Sequence, residues 1–203
     1  MVALLGRNGV GKTTLIRSIM GFTPPRHGSI IYKDKDVTRL PAYQIARMGM
    51  GLVPQGRRIF PSLDVREILA ISTRNPKVSG WNLTRAFSVF PRLKERVHHR
   101  GNKLSGAEQQ MLSSARGLIS NPDFLMMDEP SEGLAPFLVR ELGWVVRDLK
   151  NEGMSILLVE QNLAFAPRLA EYVYVVNKGS IVHESSPDEL WRNEEVKRTY
   201  LGV

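Results

Sequence analysis

Gly6-Arg7-Asn8-Gly9-Val10-Gly11-Lys12-Thr13-Thr14 stands between a short apolar run, residues 2–5, and a helically spaced stretch, residues 15–20. The pattern is G-x-x-x-x-G-K-[ST], and each residue type in it has a chemical task. Glycines let successive backbone N–H groups wrap a polyphosphate, the lysine reaches its outer phosphates, and the hydroxyl that follows can hold Mg²⁺. A helix that opens at the lysine aims its positive end at the same anion. Residues Gly6 to Thr14 are therefore expected to bind a nucleoside triphosphate, with Lys12 on the phosphates and Thr13 on the metal. A second group, Asp123-Phe124-Leu125-Met126-Met127-Asp128-Glu129-Pro130, places two carboxylates at the end of an apolar run. Ligands in α/β sheets gather at strand C-termini. Asp128 is expected to act on Mg²⁺ through water, and Glu129 to accept a proton from the water attacking the γ-phosphate.

Positioning these residues calls for a sheet. Short apolar runs alternate with amphipathic helical patterns, as in a mostly parallel sheet covered by helices. Strands are expected at 2–5, 124–127, 156–159, and at 172–176 paired with 180–183 in a hairpin that turns at Asn177-Lys178-Gly179. From Pro61 to Leu104 the pattern is helical, with a break expected at 75–80, and reads as a lobe inserted into the sheet domain. Asp64 with Glu67 can cap its first helix; Leu83, Phe87 and Phe90 share a face of another that Pro91 is expected to stop. Ser105 and Glu108 form an S-x-x-E capping box ahead of Met111, Leu112, Ala115, Leu118 and Ile119 at helical spacing.

The 203 residues have room for one sizeable domain, and the apolar fraction of 42% suits a globular chain. No apolar run approaches the roughly 18 residues that span a bilayer. The absence of cysteine and of a leader pattern makes the cytosol the expected location. A net charge of +8 permits anionic partners. The densest basic stretch, residues 92–100, lacks interleaved aromatics and reads as a solvated helix face, so nucleic acid is not an expected partner. The four histidines show no metal-ligand spacing. Asn177-Lys178-Gly179-Ser180 lacks the last acid of a guanine-reading N-K-x-D, which argues against a GTPase.

Leu104-Ser105-Gly106-Ala107-Glu108-Gln109-Gln110 is similar to the LSGGEQQ signature of ABC-type ATPases, and it lies just before the Asp128-Glu129 run as in that family. The chain thus resembles an ABC ATPase along its whole length. The resemblance implies a P-loop NTPase fold: a RecA-like, mostly parallel sheet core at 1–60 and 105–203, with a helical subdomain inserted at 61–104. It also implies that two cassettes pair head to tail, so that Leu104 to Gln109 serve the nucleotide of the partner. Gln55, in GLVPQGRRIF, resembles the Q-loop glutamine that touches Mg²⁺ and the attacking water, and Gln161 stands where most members have a switch histidine. The runs PQGRRIFPSL, DEPSEGLAP and LLVEQN and the ending TYLGV look most like the smaller of two paralogous ATPases of branched-chain amino-acid importers. ATP and Mg²⁺ are the implied cofactors. The implied partners are a second ATPase subunit, self or paralogue, membrane permeases on whose inner face the chain sits, and indirectly a solute-binding protein.

Several residues depart from the family pattern. Ala107 replaces the second signature glycine, which is expected to weaken closure on the partner's phosphate. Ala135 replaces a common aspartate, Gly117 is expected to cost its helix about 1 kcal/mol relative to alanine, and Pro167 interrupts the pattern at 163–170. Family members begin with strands bearing an aromatic residue that stacks on adenine. With Met1 five residues before Gly6, those strands are expected to be largely missing, leaving residues 2–5 as an exposed edge. The readings left open are an ATP-hydrolysing importer subunit for branched-chain or related amino acids, an importer ATPase for urea or other amides, a nucleotide-binding remnant with little hydrolysis, and an ABC ATPase of DNA repair or translation.

Overall fold

The computed structural model describes residues 1–73 and 80–202; the expected break at 75–80 lies, apart from Gly80, outside the described residues. Along the chain the elements are β1 (Val2–Leu5), α1 (Lys12–Ile19), β2 (Ile31–Tyr32), β3 (Lys35–Asp36), α2 (Ala42–Arg47), β4 (Met50–Val53), α3 (Val65–Ser72), α4 (Leu83–Val89) and α5 (Pro91–Glu95). There follow α6 (Gly106–Ile119), β5 (Phe124–Asp128), α7 (Pro136–Asn151), β6 (Ser155–Glu160), β7 (Tyr172–Asn177), β8 (Ser180–Ser185), α8 (Pro187–Arg192) and α9 (Glu194–Val196). The expected class, a P-loop α/β fold with a mostly parallel sheet and helices inserted between two of its strands, is the class observed. The chain divides into two units, one made of residues 1–50 with the chain from 156 onward, the other of residues 51–155.

In the first unit the strand order is β6-β1-β7-β8. β1 is parallel to both neighbours: Val2 pairs with Leu157 and Tyr172, and Leu5 with Glu160 and Val175. The run at 2–5 is therefore not the exposed edge expected from its place near the start of the chain. Its partners come from far along the sequence, and Ala3, Leu4 and Leu5 are buried. β7 and β8 form the expected antiparallel hairpin, with a register shift between Val175 and Val176 and Lys178 and Gly179 at positive φ in the turn. Residues 163–170 form consecutive turns and no helix, since proline can neither donate to a helical ladder nor leave room for the carbonyl four residues back.

In the second unit β4 lies beside β5, and α3 to α6 are inserted between them in the chain. α3 has the expected capping box: Glu67 N–H donates to Asp64 Oδ1 and Asp64 N–H to Glu67 Oε2, each at 2.8 Å. Pro91 does more than end α4. It occupies the first turn of α5, where its missing N–H costs nothing. The basic stretch that follows is helical only through Glu95, and Arg100 instead bridges to Asp64 as a short antiparallel contact.

Gly117 lies buried in α6, where a Cβ would come within 2.9 Å of Val53 Cγ2 and 3.4 Å of the Leu52 carbonyl oxygen. Hydrogen at this position lets the helix lie close on β4. Packing therefore outweighs helix propensity at this position: Gly117→Ala should destabilise the protein by about 1–3 kcal/mol through overpacking. Denaturant unfolding checks this, and a gain in stability would show that β4 yields freely.

Candidate functional site

The residues expected to do chemistry fall into two groups, one in each unit. In the first, β1 delivers the chain into the loop at Gly6, whose N–H donates to the Glu160 carbonyl at 3.3 Å. A Cβ on Gly6 would stand 2.7 Å from the Val176 carbonyl oxygen, so only glycine fits this close approach. Gly9 and Gly11 take positive φ, and Gly11 is the N-cap of α1, a position at which it offers no side-chain acceptor. Arg7, Asn8 and Gly9 are exposed, Val10, Gly11 and Thr13 are half-buried, and Thr14 is exposed. Lys12 curls back over the loop: it is buried, and its Nζ donates to the carbonyls of Gly6 at 2.7 Å and Arg7 at 2.9 Å. The hairpin turn braces the loop from the other side, with Gly179 N–H donating to the Val10 carbonyl at 2.8 Å.

At the end of β6 is an acid that sequence reasoning passed over. Glu160 is buried, and its Oε2 accepts from the N–H groups of Gln161 and Asn162 at 3.2 Å each. It thereby fixes the backbone from which the exposed Gln161 side chain projects. The signal was available: Glu160 ends an apolar strand just as Asp128 does.

In the second unit β5 ends on Asp128, buried like the Glu129 that follows it. Glu129 has φ of 49°, a left-handed conformation that costs a non-glycine residue about 1–3 kcal/mol and persists only where its surroundings impose it. Gln55, two residues beyond β4, donates from Nε2 to Glu129 Oε2 at 3.0 Å and to Glu132 Oε2 at 3.1 Å. The amide thus orients the carboxylate expected to act as base; Glu132 was not anticipated. Asp128 and Gln55 offer carboxylate and amide oxygen, hard donors of the kind Mg²⁺ takes.

The signature segment starts α6. Leu104 is buried; Ser105 is the N-cap, its Oγ accepting from Glu108 N–H at 3.3 Å while its own N–H donates to Glu108 Oε2 at 2.7 Å. Glu108 Oε1 also meets Arg96 Nε at 3.2 Å. Partial burial pushes the Glu108 carboxyl up, but its bonds to Ser105 and the nearby Arg96 outweigh that and hold it below the usual range. Gln109 Nε2 donates to the Gly101 carbonyl at 2.9 Å, tying the helix start to the turn before it. Glu108 and Gln109 thus position this end of the helix, leaving Gly106 at its first turn. Ala107 lines a groove of about 550 Å³ with Phe90, Met111, Leu138 and Trp144.

Two arginines that the sequence did not single out complete this group. Arg57 and Arg58 both have positive φ, 64° and 48°. Their carbonyls are held by Arg116 of α6, at 3.2 Å for Arg57 and 2.7 Å for Arg58. Burial lowers the pKa of Arg116 from that of a free guanidinium, yet arginine stays charged at neutral pH.

A family profile described as ABC transporter matches residues 1–132. The high-affinity branched-chain amino acid transport ATP-binding protein BraG of Pseudomonas aeruginosa is 39% identical over 204 residues, covering all of this chain and 88% of its own. The lipopolysaccharide export system ATP-binding protein LptB of Escherichia coli is 33% identical over 208 residues, covering all of this chain and 86% of its own. Among solved structures, a nucleotide-free ATP-binding cassette from an ABC transporter superposes with a TM-score of 0.81 at 27% identity, over 95% of this chain and 83% of that one. A phosphate loop closed on its own lysine, a strand ending in two buried acids and a capped signature helix are thus found in a chain that belongs to the ABC transporter family, among its ATP-binding subunits.

Proposed function

We propose that this chain is the ATP-binding and ATP-hydrolysing subunit that powers an importer of branched-chain or related amino acids. The observation that carries hydrolysis is the 3.0 Å bond from Gln55 to Glu129, which aims a buried carboxylate at the end of a strand next to a metal-binding aspartate. The transported class rests on the likeness to BraG, closer than that to LptB, together with the motif runs already described.

Catalysis is positioning and electrostatics. Phosphoryl transfer leaves little covalent chemistry for the protein. Lys12 turns from the two loop carbonyls to the β- and γ-phosphates, joined by the loop amides of Gly6 to Thr14. Thr13, Gln55 and Asp128 would hold Mg²⁺, which would supply neutralisation of the phosphate charge. Glu129 accepts the proton of the attacking water, and Gln161 reaches the γ-phosphate as a neutral hydrogen-bonding group. Leu104 to Gln109 face the nucleotide of a second cassette, self or paralogue, with Ala107 limiting how closely they approach it. Residues 61–104 act as the helical subdomain between the core segments 1–60 and 105–203. Among the described residues no helix is long and apolar enough to cross a membrane. The work of hydrolysis is delivered to permease subunits on whose cytoplasmic face the chain sits, fed by a solute-binding protein.

Co-expression with the permeases and second cassette tests this reading. Proteoliposomes carrying the complex should take up leucine, isoleucine or valine only with ATP and binding protein present. Failure to assemble with permeases, or uptake driven solely by urea or simple amides, would overturn it.

A further inference from the structure

We propose that Arg57 is a phosphate-contacting residue that acts across the dimer, on the nucleotide held by a second cassette. The inference rests on the pairing described above, in which the start of α6 faces the phosphates of that nucleotide. Arg57 is not a residue of the phosphate loop, the acid pair or the signature. Its placement alone assigns it a role.

The guanidinium lies over the first residue of α6. A Cβ built on Gly106 would be 2.9 Å from Nη1 and 3.1 Å from Nη2 of Arg57, and one on Gly133 would be 3.6 Å from Nη2. A side chain at 106 would push the guanidinium out of this position. Electrostatically the arrangement is unfavourable as it stands, because the N-terminus of a 14-residue helix is itself positive and attracts anions. The acid that normally relieves such an end, Glu108, is engaged by the Ser105 N–H and by Arg96. Among the described residues no carboxylate pairs with the Arg57 guanidinium. Two positive groups therefore converge where Arg57 and Gly106 are half-buried and Ser105 is exposed.

The convergence is also enforced. Positive φ at both Arg57 and Arg58 is an uncommon conformation for non-glycine residues, and Arg116 of the same helix fixes it through both carbonyls. Movement of α6 toward a phosphate carries Arg57 with it. A planar guanidinium can take two oxygens of a phosphate at once, a geometry that lysine cannot reproduce.

The chain contains no cysteine, so a single one introduced at the exposed Glu184 as Glu184→Cys accepts a dye. One population, donor-labelled, carries Lys12→Met and cannot hold its own nucleotide firmly. The other, acceptor-labelled, carries Glu129→Gln and holds ATP without turning it over. Energy transfer on adding ATP reads the mixed pair, in which the signature of the first faces the nucleotide of the second. Arg57→Ala in the Lys12→Met chain should raise the concentration needed for half-maximal pairing by about tenfold. The same change in the Glu129→Gln chain should leave it within about twofold, and Arg57→Lys in the Lys12→Met chain should recover part of the loss. Fluorescent-nucleotide binding by the Arg57→Ala, Glu129→Gln chain alone should be unchanged, which also shows that the variant is folded. Ser105→Arg in the Lys12→Met chain is the control for the composite site. Pairing that needs Ser105 but ignores Arg57→Ala in either chain overturns the role of Arg57 alone. Loss only when Arg57→Ala sits in the nucleotide-holding chain also overturns it, since Arg57 would then serve its own site. No ATP-driven pairing with Arg57 intact overturns the composite-site reading, and this proposal with it.

Discussion

Glutamine in place of Glu129 should leave the protein able to hold ATP and nearly unable to split it, with turnover falling by about 100-fold or more. The substitution preserves volume in a buried position, and its amide oxygen can still accept from Gln55 Nε2. What disappears is the capacity to take a proton from water. Because a neutral amide replaces a buried carboxylate held in a strained backbone conformation, folding stability should be unchanged or slightly higher. Phosphate release at saturating ATP and equilibrium nucleotide binding separate the two effects. Turnover within threefold of the parent would mean either that Glu129 is not the base or that the chain is a nucleotide-binding remnant; a measurable parental rate excludes the remnant.

Methionine in place of Lys12 should strike binding itself. The Lys12 ammonium is buried and makes two charge-assisted bonds to loop carbonyls, at 2.7 and 2.9 Å, the same donors it would turn toward phosphate. Hydrogen bonds to charged groups contribute about 1.5–3 kcal/mol each, so affinity for ATP should fall roughly 10- to 100-fold. The loop loses its internal clasp as well, and leaving the Gly6 and Arg7 carbonyls without this donor should lower stability by about 1–3 kcal/mol. Calorimetric titration with ATP and thermal unfolding of the unliganded protein read the two consequences independently. Undiminished affinity would show that the glycine loop alone supplies the binding energy.

Those two residues were legible in the sequence because their chemistry is local. A lysine after a glycine loop and an acid pair after an apolar run each carry their meaning within ten residues. The same holds for the capping boxes at Asp64 and Ser105 and for the hairpin turn at Asn177-Lys178-Gly179, where side chain and backbone answer each other over three or four positions. Other features depend on what arrives from far away in the chain. Gly117 reads as a helix weakness until Val53 and Leu52 are found against it. Residues 2–5 read as a bare edge until β6 and β7 flank them. Arg57 reads as one more basic residue until its backbone turns left-handed and Arg116 anchors it, and no propensity scale encodes either event. Pro91 was ambiguous in principle, because the residue that cannot continue one helix is well suited to begin the next.

The central place of β1 also has a consequence during synthesis. Its hydrogen-bonding partners begin at Leu157 and Tyr172, so this strand leaves the ribosome long before either neighbour is made. At translation rates of about 5–20 residues per second it waits roughly 10–30 s with both edges unpaired. Residues 51–155, which hold β4, β5 and the helices between them, are complete before β6 is made. The nascent chain must therefore carry an unpaired apolar strand beside the phosphate loop until β6 and β7 emerge.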